Sequence, residues 1–173
     1  MIQELTEKDF DKVYQIMEES FPPDERRTYQ EQKALLSNSK YSIYVLPDDE
    51  TKEIKAFLAV WQFDDVAFIE HFAVNPAYRN RGLGSQILQE IKNFLSCMIC
   101  LEVELPDCEI AKRRIEFYKR NGFFLNEYPY EQPAITKGRK PLPLMIMTSG
   151  SEITKDRFDD IKVLLYKCVY QVL

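Results

Sequence analysis

The sequence is poor in the residue types on which several common functions depend. Of its 173 residues, one is histidine and four are cysteine, and 28 Asp and Glu outnumber 23 Lys and Arg. Nucleic-acid phosphates are bound by clustered Lys and Arg. A net charge of -5 without a basic stripe therefore argues against a nucleic-acid partner.

Long apolar runs are also missing. No run approaches the roughly 20 residues of a membrane-spanning helix, and residues 1–8 carry acids where a secretory signal would carry basic and then apolar side chains. We therefore expect a cytoplasmic protein without a membrane partner, in which all four cysteines stay reduced. Cys97 and Cys100 have the spacing of half a metal site, but no second pair or neighbouring histidine completes it, so we predict no metal.

The sequence does contain helix and strand patterns typical of one folded domain. Because a chain of this length and 45% hydrophobic content supports a single core, we predict one domain over residues 1–173. The patterns predict, in chain order, helices at 6–21 and 26–36, strands at 41–46, 54–63 and 66–74, a helix at 82–95, a strand at 98–105, a helix at 110–121, strands at 123–125 and 144–148 separated by a loop, and a helix within 151–173 capped by Ser151.

The turn Arg79-Asn80-Arg81-Gly82-Leu83-Gly84-Ser85 joins a strand to a helix. Glycines at such a junction let backbone N–H groups converge on a ligand, and the helix N-terminus and two arginines add positive charge. The turn therefore predicts a site for two linked phosphates. Ile87 stands at the third glycine position of the dinucleotide fingerprint, and no Gly-Lys-Ser/Thr follows, which argues against both common nucleotide motifs.

Residues 74–84 resemble, residue for residue, the Arg/Gln-x-x-Gly-x-Gly/Ala motif of the GCN5-related N-acetyltransferase (GNAT) family, with its lead-in strand. Residues 100–104 followed by 116–123 resemble the family's fifth strand and subsequent helix, and good matching spans residues 68–124. The resemblance implies an α/β (α+β) fold with a mixed, mostly antiparallel central sheet flanked by helices. The C-terminal helix of residues 151–173 is then an addition to the usual family end.

The same resemblance implies an acetyl-CoA-dependent N-acetyltransferase, monomeric or homodimeric, that acts by direct attack of an amine on the thioester. Backbone N–H groups around Phe72, Ala73 and Val74 would bind pantetheine and polarise the thioester carbonyl. Arg114 would reach the phosphates or the adenosine end of the cofactor, or else lies on a solvated helix face.

Three side chains are candidates for proton transfer. Tyr118 matches the family tyrosine that protonates the departing thiolate, although a core tyrosine beside Phe123 is the alternative. Glu102 and Glu70 interrupt apolar strands, and each is a candidate general base or else reaches solvent or pairs with an arginine. Glu102 matches the base of some family members and is slightly favoured. Alternation turns His71 away from Glu70, so we expect His71 at the sheet surface and no catalytic pair.

The acceptor is not determined by these patterns. In the resembled fold it approaches residues 21–27 and 128–140, where Asp24 and Glu25 either hold a cationic amine or lie in a solvated turn. Two other functions stay open: a catalytically silent acyl-CoA-binding regulatory module on the same fold, and a protein-docking role for the C-terminal helix.

Overall fold

The computed structural model describes residues 1–135 and 137–173, and these form two compact units, residues 1–97 and 98–173. The prediction of one domain stays a prediction. The first unit contains the strands β1 (Gln3–Glu4), β2 (Tyr41–Pro47), β3 (Ile54–Gln62) and β4 (Val66–Val74) and the helices α1 (Phe10–Ser20), α2 (Tyr29–Ala34) and α3 (Leu83–Leu95). Its strands pair in chain order, each antiparallel to the next.

The core of the first unit is built on β3, in which every residue from Ala56 to Trp61 is buried. Helix α1 buries Phe10, Val13 and Met17, which recur at helical spacing. Helix α2 begins with a capping box, in which the Thr28 hydroxyl accepts from the Glu31 N–H and the Glu31 carboxylate accepts from the Thr28 N–H.

The second unit contains β5 (Met98–Glu104), α4 (Glu109–Arg120), β6 (Phe123–Gln132), β7 (Leu142–Ser149) and α5 (Lys155–Leu164), which continues into a π-helical turn, Leu165–Val169. Strand β7 pairs antiparallel with both β5 and β6. Gly122 ends α4 with φ +82°, the left-handed conformation expected after a helix C-terminus.

The predicted loop from Asn126 onwards is wrong, because β6 continues to Gln132. The β6–β7 register shifts between Asn126 and Tyr130, and Pro129 lies within this irregular stretch. Proline is tolerated at such sites because no ladder hydrogen bond is needed from it. Of the remaining loop, Thr136 lies outside the described residues.

The predicted cap of the last helix is also wrong. Thr154, rather than Ser151, precedes α5, and its hydroxyl accepts the Arg157 N–H at 3.3 Å. Strand β1 was not predicted, and the other elements agree with their predicted positions within a few residues. The prediction of a mixed α/β fold with mostly antiparallel strands and a C-terminal helix is confirmed. Within the described ranges, no helix has both the length and the apolar character to span a membrane.

Candidate functional site

The turn after β4 is fixed to the neighbouring strand. The Asn75 N–H donates to the Lys55 carbonyl at 2.9 Å, and the Asn75 side-chain amide donates to the Ile54 carbonyl at 3.0 Å. The Asn75 side-chain oxygen in turn accepts the Ala77 N–H at 3.0 Å. Asn75, which precedes the predicted phosphate turn, is therefore held against the start of β3.

Backbone N–H groups gather where this turn enters α3. Gly82 adopts φ +75° at the N-cap, and the helical ladder starts with the Gln86 N–H donating to the Gly82 carbonyl at 3.1 Å. The N–H groups of residues 83–85 lie outside this ladder, as the first N–H groups of a helix do. Beyond Gly82 and its two chain neighbours, no heavy atom of the described residues lies within 4 Å of the position that a Cβ would take at Gly82. This face is open to a ligand.

Two arginines flank the same N–H groups. Arg79 and Arg81 are exposed. The Arg79 Nε donates to the Val74 carbonyl at 3.3 Å, and the Arg81 guanidinium lies 5.5 Å from the centre of the Tyr78 ring. A helix N-terminus with guanidinium groups beside it favours phosphate. The residues of the turn therefore fit the diphosphate of acetyl-CoA.

The end of β4 presents its N–H groups on two sides. Asn75 donates to β3, so alternation directs the N–H of Ala73 to β3 as well, and Ala73 pairs with Phe57. The N–H groups of Phe72 and Val74 point away from β3. The predicted set of three is thus narrowed to Phe72 and Val74 as candidates for binding pantetheine.

A β-bulge interrupts β4 just before these residues. Ala59 faces His71 and the next residue, Val60, faces Ile69, so Glu70 is the extra residue of the strand. The bulge brings the side chains of Glu70 and His71 together, with His71 Nδ1 3.7 Å from Glu70 Oε2. The expectation that alternation separates them is wrong for this reason.

His71 is also not at the surface, because it is only 3% exposed. Its Nε2 lies 2.7 Å from the Glu25 carbonyl oxygen. A carbonyl oxygen only accepts hydrogen bonds, so Nε2 carries a proton. His71 therefore fixes the backbone at Glu25, within the segment predicted to face the acceptor.

Glu70 forms a buried ion pair. Its carboxylate accepts two hydrogen bonds from Arg27, at 2.7 and 2.9 Å, and one from the Trp61 Nε1 at 3.3 Å. Burial raises the pKa of this carboxyl, but Arg27 and His71 lower it by more, so the pKa lies well below its ordinary value. Pairing with an arginine was one predicted alternative for Glu70. In this state the carboxylate has little affinity for a proton.

Glu102 has different partners. Oε1 accepts from the Tyr130 hydroxyl at 2.7 Å and from the Tyr170 hydroxyl at 2.6 Å, and Oε2 accepts from the Gln132 amide at 2.5 Å. These three donors are uncharged, unlike the guanidinium that pairs with Glu70. Glu102 is half-buried, and its role as general base stays a prediction.

Tyr118 is buried, at 8% exposure, and its ring packs against Phe117 and Phe123 with centroids 5.4 and 5.8 Å away. The packing expected of a core tyrosine is therefore present. Burial raises its pKa to about 12, slightly offset by Arg114. The phenol is protonated at neutral pH, as a general acid must be.

Arg114 pairs with Glu104 at 3.0 Å, and both side chains are nearly half exposed. Its predicted contact with the cofactor stays a prediction. Among the described residues, no group of three or more His, Cys, Asp or Glu side chains is arranged to hold a metal ion.

Sequence reasoning missed the partners of both glutamates. Arg27 is 43 residues from Glu70, and Tyr170 is 68 residues from Glu102. No local pattern marks such pairs, because strand alternation describes only which face a residue occupies. A carboxylate within an apolar strand was the one available signal that a partner exists.

Residues 10–123 match the model of the acetyltransferase (GNAT) family. A Bacteroides thetaiotaomicron protein assigned to GNAT acetyltransferases is 36% identical, with a TM-score of 0.91 over 100% of this chain and 99% of that chain. No curated protein sequence matches this chain significantly.

Two more distant structures share the fold. The ribosomal-protein-S18-alanine N-acetyltransferase of Escherichia coli has a TM-score of 0.66 at 20% identity, over 90% of this chain and 96% of that one. An aminoglycoside 6'-N-acetyltransferase complexed with coenzyme A has a TM-score of 0.63 at 13% identity, over 86% and 96%. With the family model covering more than half of its residues, this chain belongs to the GNAT family of acetyltransferases.

Proposed function

We propose that this protein is an acetyl-CoA-dependent N-acetyltransferase that acetylates a primary amine by direct attack on the thioester. The observation that carries the proposal is the turn at residues 79–85. There, helix-start N–H groups outside the helical ladder, a left-handed Gly82 and two arginines provide a cradle for a diphosphate. Membership of an acetyltransferase family makes acetyl-CoA the diphosphate compound to test first.

Each chemical requirement of the transfer has a candidate residue. The amine nitrogen forms a bond to the carbonyl carbon, the carbon–sulfur bond breaks, the nitrogen loses a proton and the sulfur gains one. The N–H groups of Phe72 and Val74 are suited to polarise the carbonyl. Tyr118, protonated at neutral pH, gives the proton to sulfur.

For the proton of the amine, Glu102 is the better candidate base. Glu70 is neutralised by Arg27 and nearly unexposed, with 2% of its side chain accessible. Glu102 accepts hydrogen bonds from two phenols and an amide, which are neutral donors, and it matches the base that some family members use. We therefore assign Glu102 as the general base. Glu70 pairs with Arg27 and so supports the residues around that arginine.

The acceptor is a small-molecule or peptide amine. Structures of the same fold carry names that include a ribosomal-protein alanine, spermidine and an aminoglycoside, which sets the range of amines to test. Asp24 and Glu25 stay candidates for holding a cationic acceptor. A cytoplasmic location and a monomeric or homodimeric state also stay predictions.

The test is thiol release from acetyl-CoA in the presence of polyamines, aminoglycosides, amino acids and peptides with free N-termini. We expect one amine class to be preferred, and expect Tyr118→Phe and Glu102→Gln to lose turnover while they still bind acetyl-CoA. Binding of acetyl-CoA without transfer to any amine in the panel would instead favour the silent regulatory module. Failure to bind acetyl-CoA would contradict both.

A further inference from the structure

The carboxylate of Glu102 is held by residues from two different parts of the second unit. Tyr130 and Gln132 come from β6, while Tyr170 follows the π-helical turn at the end of α5. The Gln132 amide also donates to the Tyr170 hydroxyl at 3.2 Å, so two of the three donors are themselves linked. The C-terminal segment thus contributes directly to the surroundings of a candidate base.

Several contacts fix the C-terminal segment against β6. The Ile153 N–H donates to the buried Asn126 side chain at 2.9 Å, and the Tyr128 hydroxyl donates to the Ile153 carbonyl at 3.1 Å. Phe158 of α5 is buried, and its ring centre lies 5.0 Å from that of Tyr128. The Tyr166 hydroxyl donates to the Glu131 carbonyl. The start and end of the segment are therefore both held to the strand that carries Tyr130.

The π-helical turn determines how Tyr170 leaves the helix. The Tyr170 N–H donates to the Leu165 carbonyl at 3.0 Å, a separation of five residues instead of the four of an α-helix. One extra residue per turn rotates the following side chain relative to its α-helical position. Tyr170 itself is only 9% exposed, so its hydroxyl reaches Glu102 from a packed side chain.

The neighbouring phenol on β6 stays a donor. Burial, and then the charge of Glu102, raise the pKa of Tyr130 well above its ordinary value. A phenol that keeps its proton and faces a carboxylate stabilises the ionised form of that carboxylate. Tyr170 makes the same kind of contact with the same oxygen, Oε1.

We propose that Tyr170 is a positioning residue of the acetyltransferase site, which holds Glu102 ionised and in one orientation for its work as general base. The inference rests on the proposed function, because it concerns the residue assigned there as the base. It gives the C-terminal segment a part in the reaction, in place of a role limited to protein docking.

The Glu102 carboxyl is in equilibrium between a protonated and an ionised form. Three donors favour the anion, which is the form that accepts a proton, and each donor that is lost makes protonation easier. The titratable groups around Glu102 include Tyr130 on β6, Tyr166 and Tyr170 in the C-terminal segment, and Cys100 on its own strand. All of them are neutral near pH 7. The amine also has to lose a proton, but its ionisation is the same for every variant, so a difference in the acid limb between variants reports Glu102.

The experiment compares Tyr170→Phe with Tyr166→Phe. Both changes remove one hydroxyl from the same segment. The Tyr166 hydroxyl donates to a backbone carbonyl, so its removal leaves all three donors to Glu102 in place. We expect Tyr170→Phe to lower kcat about tenfold, as loss of one hydrogen bond to a charged group does, with the KM for acetyl-CoA unchanged. We also expect the acid limb of its rate profile to move up by about one pH unit. Tyr166→Phe should resemble the unchanged protein in all three.

A second measurement does not depend on turnover. The Glu102 carboxyl carbon is followed by ¹³C NMR across pH in glutamate-labelled protein, with Glu102→Gln used to assign the signal. The titration midpoint should move to higher pH in Tyr170→Phe and stay in place in Tyr166→Phe. If Tyr170→Phe does not fold, removal of residues 170–173 provides the same comparison with α5 retained.

The positioning role of Tyr170 and the proposed acetyltransferase function would be contradicted by different results. An unchanged midpoint and an unchanged acid limb in Tyr170→Phe would overturn the positioning role, even in a fully active enzyme. If the unchanged protein transferred acetyl to none of the amines, that result would contradict the proposed function instead. A merely structural role for Tyr170 would lower the melting temperature and leave the acid limb where it is.

Discussion

Two glutamates in apolar strands, Glu70 and Glu102, have hydrogen-bond partners of different charge. Glu70 is paired with the guanidinium of Arg27, so its charge is cancelled within the protein. Glu102 accepts hydrogen bonds from two phenols and an amide, which are uncharged donors that stabilise the anion. The same residue type at similar strand positions thus pairs with a cation in one place and with neutral donors in the other.

The ion pair of Glu70 makes stability depend on Arg27. We expect Arg27→Met to lower the free energy of unfolding at pH 7 by about 3–5 kcal/mol, because it leaves a buried carboxylate without its counter-charge. Chemical denaturation followed by the fluorescence of Trp61, which contacts Glu70, measures the change.

The pH dependence of this loss has a definite sign. In the unchanged protein the folded pKa of Glu70 is lowered, so its stabilisation is present above the unfolded pKa of about 4.3 and is lost as pH falls toward the folded value. In Arg27→Met burial raises the folded pKa, so stability decreases as pH rises above about 4.3. The double variant Arg27→Met/Glu70→Gln serves as the control and should recover most of the loss at pH 7. An equal loss at pH 4 and pH 7 would contradict the ion-pair account.

Tyr118 is expected to act through its hydroxyl. Tyr118→Phe keeps the ring that packs on Phe117 and Phe123, so we expect stability near that of the unchanged protein and a decrease of kcat by about 10²–10⁴. Steady-state kinetics with acetyl-CoA measures this. Because the pKa of Tyr118 is raised to about 12, the unchanged enzyme should show no loss of rate up to pH 10 from this group. Full activity of Tyr118→Phe would leave Tyr118 as a core residue only.

At the scale of elements, the phosphate turn combines a strand end, a left-handed glycine and a helix start. We expect Gly82→Ala to weaken acetyl-CoA binding at least tenfold, because φ +75° disfavours a side chain by about 1–2 kcal/mol and the added methyl lies on the open face of the turn. Isothermal titration calorimetry with acetyl-CoA measures the affinity.

The matched control for this change is Gly150→Ala. Gly150 also has positive φ, +85°, and also has no atom of the described residues within 4 Å of its Cβ position, but it follows β7. The backbone strain of the two variants is therefore similar, whereas only Gly82 belongs to the turn. Equal affinities of the two variants for acetyl-CoA would show that the turn does not bind the diphosphate.

Local patterns predicted most elements, and long-range pairing accounts for those that they missed. The bounds of β4 were predicted to the residue, because its apolar run ends at Asn75-Pro76. Strand β6 was predicted too short, because its alternation is broken by Pro129 and is completed only by pairing with β7. The bulge at Glu70 depends on how β4 pairs with β3, and the hydrogen bonds of Glu102 come from residues up to 68 positions away, so no single segment encodes either feature.

For the whole molecule, binding of the donor substrate should be visible as stabilisation. Acetyl-CoA at about 100 times its Kd should raise the free energy of unfolding by about 2.7 kcal/mol, which for a chain of this size is a rise in Tm of about 5–10 °C. Differential scanning calorimetry measures the shift. S-acetyl-N-acetylcysteamine, a thioester without the diphosphate, should give no shift at the same concentration. Equal shifts with both compounds would contradict recognition through the turn.

The bulge in β4 shifts the alternation of N–H directions along the strand by one residue. The Val66 carbonyl accepts from the Phe63 N–H, and the Asn75 N–H donates to the Lys55 carbonyl. The residues that hydrogen-bond toward β3 are therefore even-numbered before Glu70 and odd-numbered after it. Removal of Glu70 would join the two parts of the strand into one regular ladder and leave the N–H groups of Phe72 and Val74 on the outer side. The bulge therefore serves to insert one carboxylate, which pairs with Arg27 and lies beside His71, into a strand whose two ends would pair with β3 in the same way without it.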